Sequence, residues 1–341
     1  MIDLLVVGGG PAGLATAIHG ALAGLEVVVA EPRPTPVDKA CGEGLMPGAV
    51  RALGELGVTV AGKRFHGIRY VDGISGRSTE GHFRAGHGLG VRRTELQAAL
   101  AERAAALGVR LVPHRLGQVH QERHCVTAGG MTARYLAAAD GLHSPTRRAL
   151  GLRTPPDPRR AARYGLRRHY AVEPWSDLVE VHWSARSEAY VTPLAPDLVG
   201  VAVLGADRAP FQAQLARFPI LSSRLPAGAG TRVRGAGPLR QQVRARVAGR
   251  VLLVGDAAGY VDALTGEGLT LALTAAGELV RCVRADCPED YERAWRRLSR
   301  SYRMLTGSLL RARECPLLGP RIAPLAARVP RLFRAGVNLL A

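Results

Sequence analysis

Gly8, Gly10 and Gly13 stand in the spacing G-x-G-x-x-G, directly after the apolar run Ile2 to Val7 and ahead of an Ala-rich stretch that begins at Pro11. With 41 glycines in 341 residues, that spacing arises by chance about 0.6 times in such a chain, so the glycines alone say little. Their setting says more. Between a strand and a helix, the first glycine permits a tight turn, the second lets the backbone approach a pyrophosphate, and the third lets helix and strand pack closely. Pro11 and Ala12 complete the turn, and the helix behind them aims unpaired N–H groups and a positive dipole end at the phosphates. Glu31 ends the next apolar run, placed to accept hydrogen bonds from a ribose diol, and Arg33 is counted with the same set. The chemistry open to these residues is the binding of a dinucleotide.

Four more clusters have types and spacings of their own. Lys39-Ala-Cys41-Gly42-Glu43-Gly44-Leu45 places a cation, a thiol and three flexible or acidic positions in one loop. Arg93 opens Arg-Thr-Glu-Leu ahead of a helix. Ala139-Asp140-Gly141-Leu-His-Ser144-Pro-Thr-Arg147 follows an apolar run, and Gly255-Asp256 begins a segment that continues through Gly266 and Gly268 to Leu269. A rival Asp72-Gly73 lacks the Ser and Arg and reads as a hairpin turn.

Taken together, these segments resemble the p-hydroxybenzoate hydroxylase-like and geranylgeranyl reductase-like superfamily of FAD-dependent oxidoreductases, over most of residues 1 to 285. The resemblance implies non-covalent FAD, with NAD(P)H as electron donor. It assigns Asp256 to the ribityl chain, Asp140 to the Asp-Gly fingerprint and Arg93 to the ribose and phosphates. It lays the Lys39-Cys41-Gly42 loop against the isoalloxazine ring, making Cys41 the flavin-proximal candidate for a catalytic role. Gly266, Gly268 and Leu269 then start a helix at the flavin edge, where its N–H groups stabilise negative charge on the reduced ring. The sequence departs from the family at Ala263, where proline is usual. Tyr190-Val-Thr192-Pro193 also lacks the Trp and Phe of the reductases' Y-x-W-x-F-P, and Trp175 and Trp183 are not spaced as in the halogenases' W-x-W-x-I-P.

The elements that must position these residues follow from patterning. Ile2 to Val7, a helix over Pro11 to Ala23 and a strand over Glu26 to Glu31 make a βαβ unit. Thr35 to Gly48 reads as a loop. Phe65 to Val71 and Ser78 to Phe83 read as a hairpin, Thr94 to Ala106 as a helix and Val109 to Val112 as a strand; further strands lie near Gln118 and Cys125 and over Thr132 to Ala139. Ala162 to Leu204 alternates as an antiparallel sheet does, a linker rich in Gly, Pro and Arg spans residues 226 to 239, and a buried strand returns at Val251 to Val254 before a long helix from about Gly266. The expected class is therefore α/β: a Rossmann-type FAD-binding domain (glutathione reductase-like, p-hydroxybenzoate hydroxylase-like) with an inserted antiparallel-sheet substrate domain and a helical C-terminus. Its expected parts are a discontinuous FAD-binding domain (1–60, 90–155 and 245–300), a substrate domain (61–89 and 156–244) and a C-terminal cap segment (301–341).

Composition narrows the classes. The formal charge of +18 raises nucleic acid as a partner, but only Lys39 and Lys63 among 46 basic residues are lysines, the arginines are dispersed and aromatics total 5%. That is a compositional bias and not a nucleic-acid track. Five cysteines without C-x-x-C spacing and ten scattered histidines indicate neither a disulfide framework nor a metal site. No apolar run reaches the roughly 18 residues of a membrane span, and no secretory pattern precedes Ile2, so the expected compartment is the cytoplasm.

The segment from Ser301 to Ala341 carries seven arginines against Glu314, many leucines, and prolines at 316, 320, 324 and 330 that rule out one long helix. Its first reading is a cap that closes the substrate pocket. The alternative is weak peripheral contact with an anionic membrane through Ala326 to Leu340. For function, the leading expectation is a monooxygenase that hydroxylates a hydrophobic or aromatic, polyketide-like molecule of secondary metabolism through a flavin C4a-hydroperoxide. The alternatives are a reductase of isolated double bonds in prenyl or lipid substrates, and a non-catalytic FAD-binding protein.

Overall fold

The structure is a computed structural model and describes residues 1–226, 228 and 230–339. Ala227 and Ala229 of the glycine-rich linker and the last two residues of the C-terminal segment lie outside it.

Val-rich segments without polar alternation require burial on both faces, and they form the middle of a sheet. Five parallel strands lie in the order Val251–Leu253, Met131–Ala138, Ile2–Val7, Val27–Ala30 and Arg110–Val112. Val6 lies between Ala137 on one side and Val29 on the other, all three fully buried. Val247–Ala248 and the Val119–Gln121/Val126–Ala128 pair extend the sheet in antiparallel fashion. The Pro11–Leu22 helix packs against the Gly268–Arg284 and Arg93–Ala106 helices on the same layer.

A second, seven-stranded sheet has the order Arg234–Ala236, Tyr164–Ala171, Leu198–Gly205, Ser187–Ala195, Val179–Trp183, Gly67–Asp72 and Ser78–His82. It is antiparallel except where Val179–Trp183 runs parallel to Gly67–Asp72, a pairing that alternation alone does not reveal. One face buries Tyr170, Val191, Val201 and Val203 under the short helices Phe211–Leu215 and Pro219–Ser222. The other face looks toward the nucleotide-binding layer.

The segment expected to be a loop as far as Gly48 is shorter than that. Gly44–Leu45 pairs with Gly88–Gly90, which also pairs with Lys63–Phe65, and Pro47 starts a helix that runs to Glu55. Pro47 sits at the first helical position, where its missing N–H costs nothing.

The C-terminal segment is broken into the helices Arg300–Glu314, Ile322–Arg328 and Pro330–Asn338. Its inner side chains pack on the hairpin Gly67–Asp72/Ser78–His82: the Phe333 ring lies 4.6 Å from Tyr70, and Val337 sits against Gly81. Buried charges tie it further in. Glu188 takes both Arg313 and Arg163 (2.7 Å), and Arg163 continues to Asp262 (2.9 Å). No helix among the described residues is long and apolar enough to cross a membrane.

Candidate active site

Gly8 has φ +107°, and a Cβ there would sit 2.5 Å from the Ala139 carbonyl oxygen; one on Gly13 would sit 1.9 Å from the Gly8 carbonyl oxygen. Only glycine fits at either place. Gly10 differs, because a Cβ there would meet nothing nearer than the Arg93 guanidinium at 3.7 Å. Gly10 also caps the Pro11–Leu22 helix without a side-chain hydrogen bond, leaving that N-terminus open to the space above.

That space is a cavity of about 460 Å³ running from the glycine loop to the seven-stranded sheet. Its polar end is lined by Gly10, Pro11, Ala12, Arg33, Arg93, Asp140, Asp256, Gly266, Gly268 and Leu269. Lys39, Cys41 and Gly42 also line it, and Met46, Phe65, Ile68, Tyr70, Val179, Val181, Tyr190 and Leu264 form its apolar end. Gly8, Gly13 and Glu31 remain outside the wall. Glu31 is buried, and its carboxylate accepts from the Gly9 N–H (3.0 Å) and from the Arg33 Nε (2.7 Å) and Nη2 (2.8 Å). Burial pushes this carboxyl up, but the Arg33 and Gly9 hydrogen bonds outweigh it and hold it below its usual range. The group that Glu31 presents to the cavity is therefore Arg33.

The two later motifs are stitched together by one side chain. Arg147, fully buried, donates to the carbonyls of Leu142 (2.8 Å), Ala257 (3.1 Å) and Asp256 (3.2 Å) and to Gln241 Oε1 (2.7 Å). Ser144 accepts from the Arg147 N–H and caps the short helix that carries it. Asp140 accepts from the Thr146 N–H through Oδ2 (2.9 Å), while its buried Oδ1 has no partner among the described residues. Asp256 faces the cavity. Burial raises its carboxyl above the usual range against the pull of Arg93, Lys39 and Arg147.

The Lys39–Gly44 loop is latched to both walls, by its own Glu43, by Thr192 and by Gln97, Asp38, Arg167, His169 and Arg234, which the sequence reading did not single out. Gln97 donates to the Gly9 carbonyl and accepts from the Val37 N–H (2.7 Å). Asp38 takes Arg167 and Arg234 (2.8 Å), and Thr192 donates to the Gly42 carbonyl (2.9 Å). Glu43 is buried at φ +58°, with Oε2 2.6 Å from His169 Nε2 and Oε1 accepting from the Arg93 N–H (2.9 Å). A non-glycine residue in that region is strained, and it persists because these partners overdetermine it. Burial pushes the Cys41 thiol up, so it stays protonated at neutral pH, and burial together with Arg33 and Arg93 depresses the Lys39 amine.

These features fit FAD. The helix N-termini at Pro11 and at Gly268, neither capped by a side chain, suit anionic groups. The orphaned Asp140 Oδ1 and the carboxyl of Asp256 suit hydroxyls, and Gly42, where a Cβ would meet nothing within 4 Å, leaves room for a flat ring. The C-terminal segment does not close the cavity in the way a lid would, since no described residue beyond Ala272 lines it. It braces the wall from behind, because Phe333 and Leu310 pack on the residues that line the apolar end.

Comparison with known proteins agrees with this geometry. The model of the family described as FAD binding domain matches residues 1–189. The chain is 32% identical to a menaquinone reductase of Mycobacterium tuberculosis, over 80% of this chain and 74% of that one. It is 30% identical to the menaquinone reductase of Mycolicibacterium smegmatis, over 99% of this chain and 91% of that one. A rifampicin monooxygenase of Streptomyces venezuelae is 28% identical over 82% and 63% of the two chains. Among solved structures, a geranylgeranyl bacteriochlorophyll reductase-like protein from Thermoplasma acidophilum superposes with TM-score 0.81 at 21% identity, covering 96% of this chain and 91% of that one.

Proposed function

The chain belongs to the FAD binding domain family and is an FAD-dependent oxidoreductase, and we propose that it reduces an isolated double bond in an apolar, prenyl-like chain, with NAD(P)H as the source of electrons. One observation carries the reading: a single cavity joins the nucleotide loop to an aliphatic and aromatic wall, with the Cys41 thiol on the loop between them. Likeness to menaquinone reductase along nearly the whole chain supports it and moves the reductase ahead of the monooxygenase expected from the sequence.

Saturating a carbon–carbon double bond needs a hydride on one carbon and a proton on the other. FAD, when bound, supplies hydride chemistry. The chain's own residues do the rest. The helix N-termini at Pro11 and Gly268, with Arg33 and Arg93, hold negative charge; Asp140 and Asp256 orient hydroxyl groups. Ile68, Val179, Val181 and Leu264 align the substrate chain and exclude water. Cys41 Sγ–H donates the proton and is reprotonated from solvent.

A monooxygenase is the second reading, favoured by the likeness to the rifampicin enzyme. Anaerobic mixing of the reduced flavoprotein with prenylated quinones and geranylgeranyl compounds separates the two. A reductase oxidises its flavin without oxygen and returns a product heavier by two hydrogens; a monooxygenase does neither and instead consumes oxygen in step with substrate. Cys41→Ala is expected to keep FAD and lose roughly 100-fold or more in the anaerobic rate. An unchanged rate removes Cys41 from the proton step.

A further inference from the structure

Among the described residues, ten large hydrophobic side chains stand out into solvent, and seven of them lie between Met304 and Leu339: Met304, Leu317, Leu318, Leu325, Val329, Leu332 and Leu339. Soluble surfaces scatter such side chains singly, so confinement to one segment marks an interaction surface. On the Pro330–Asn338 helix the division is sharp. Phe333 and Val337, four residues apart, point into the fold, and Asn338 bonds to the backbone at His82 and Arg84. Leu332, Ala335 and Leu339, at the spacing of one helical face, are exposed on the other side.

The flanking charge says what covers this face. Arg328, Arg331 and Arg334 are exposed and make no ion pair among the described residues. Glu314, the one acidic residue in 301–341, lies beside Arg160. A second copy of the chain docked here through a two-fold axis would bring like charges together. A nucleic acid would leave the leucines unburied. An anionic bilayer satisfies both, with leucines below the headgroups and arginines at lipid phosphates.

We propose that the outer face of the C-terminal helices, centred on Leu332 and Leu339 with Arg328, Arg331 and Arg334, binds the protein peripherally to anionic membranes. The surface stands apart from the cavity, and the proposal does not depend on the reaction assigned above. The test is co-sedimentation of the FAD-loaded protein with phosphatidylcholine vesicles, with and without phosphatidylglycerol, at low and high salt. The expected result is binding that requires phosphatidylglycerol, weakens with salt, and falls at least ten-fold in L332E/L339E and in R331E/R334E. Ile74→Glu, at an exposed apolar residue in the turn of the Gly67–Asp72/Ser78–His82 hairpin and outside the C-terminal segment, serves as the control and keeps full binding. All three sets of changes are on exposed positions, and FAD content verifies the fold. No binding at low salt, equal binding to both vesicle types, or full binding by either double variant overturns the proposal. A lipid-free dimer that L332E/L339E dissociates also overturns it and assigns the face to a second copy.

Discussion

Asp256 lines the cavity with a carboxyl that burial raises against the pull of Arg93, Lys39 and Arg147. Asp256→Ala is therefore expected to weaken FAD retention by roughly ten-fold or more, the worth of one buried hydrogen bond to a charged group. Gly10→Val, which fills the space above an open helix N-terminus, is expected to do the same or worse. Equilibrium dialysis or flavin fluorescence on the purified variants checks both, and wild-type affinity in the two would refute the binding roles given to them. Gly13 belongs to a different category. A Cβ 1.9 Å from a backbone oxygen displaces the helix itself, so its substitution tests folding and not binding.

At the scale of elements, the 38–44 loop connects two layers, and its rigidity comes from contacts made far away in the chain. Glu43 is the centre of that latch, reaching His169, Arg167 and the start of the Arg93–Ala106 helix. Glu43→Gln preserves shape while removing the charge that faces His169 and Arg167. It is expected to cost about 1.5–3 kcal/mol of stability and to shift the visible spectrum of bound flavin, because the loop beside the ring loosens. Denaturant midpoints and absorbance spectra measure the two effects. A variant with wild-type values in both returns Glu43 to a passive turn. Gln97, which ties the glycine loop to Val37, sits one helical turn beyond Arg93 and offered no spacing signal of its own.

For the whole molecule, buried carboxyl groups set how stability varies with pH. Burial raises Glu267, at the head of the Gly268–Arg284 helix, to about 7 from 4.5. Between those values the folded chain holds a proton that the unfolded chain has released, so this group's contribution falls as pH rises and levels off above 7. Glu180 has the opposite sign. Burial pushes it up, but hydrogen bonds from His182, Trp175 and Arg69 bring it down to about 2, so its contribution is complete above 4.5 and is lost as pH falls toward 2. Denaturant midpoints should therefore decline from pH 5 to pH 8, and Glu267→Gln should flatten that decline. Identical slopes for the variant and the parent would show that Glu267 ionises freely in the folded state.

Local conformation was legible in the sequence, and long-range charge pairing was not. The βαβ unit, its glycine turn and the return of the chain to the parallel sheet could be read directly, because burial periodicity and glycine conformation are properties of neighbouring residues, whereas the Asp140-Gly141 and Gly255-Asp256 segments were legible only through their resemblance to a known superfamily. The residues that hold the site in place lay beyond that reading. Arg167 reaches Asp38 across 129 positions, Arg234 reaches it across 196, and His169 reaches Glu43 across 126. In a chain where all but two of 46 basic residues are arginine, no single arginine stands out until folding chooses its partner. The same holds at the C-terminus. Its leucines and arginines were visible as composition, but only packing determined that Phe333 and Val337 turn inward while Leu332 and Leu339 remain outside. A helix of mixed polarity acquires an inner face only when another surface buries one side of it.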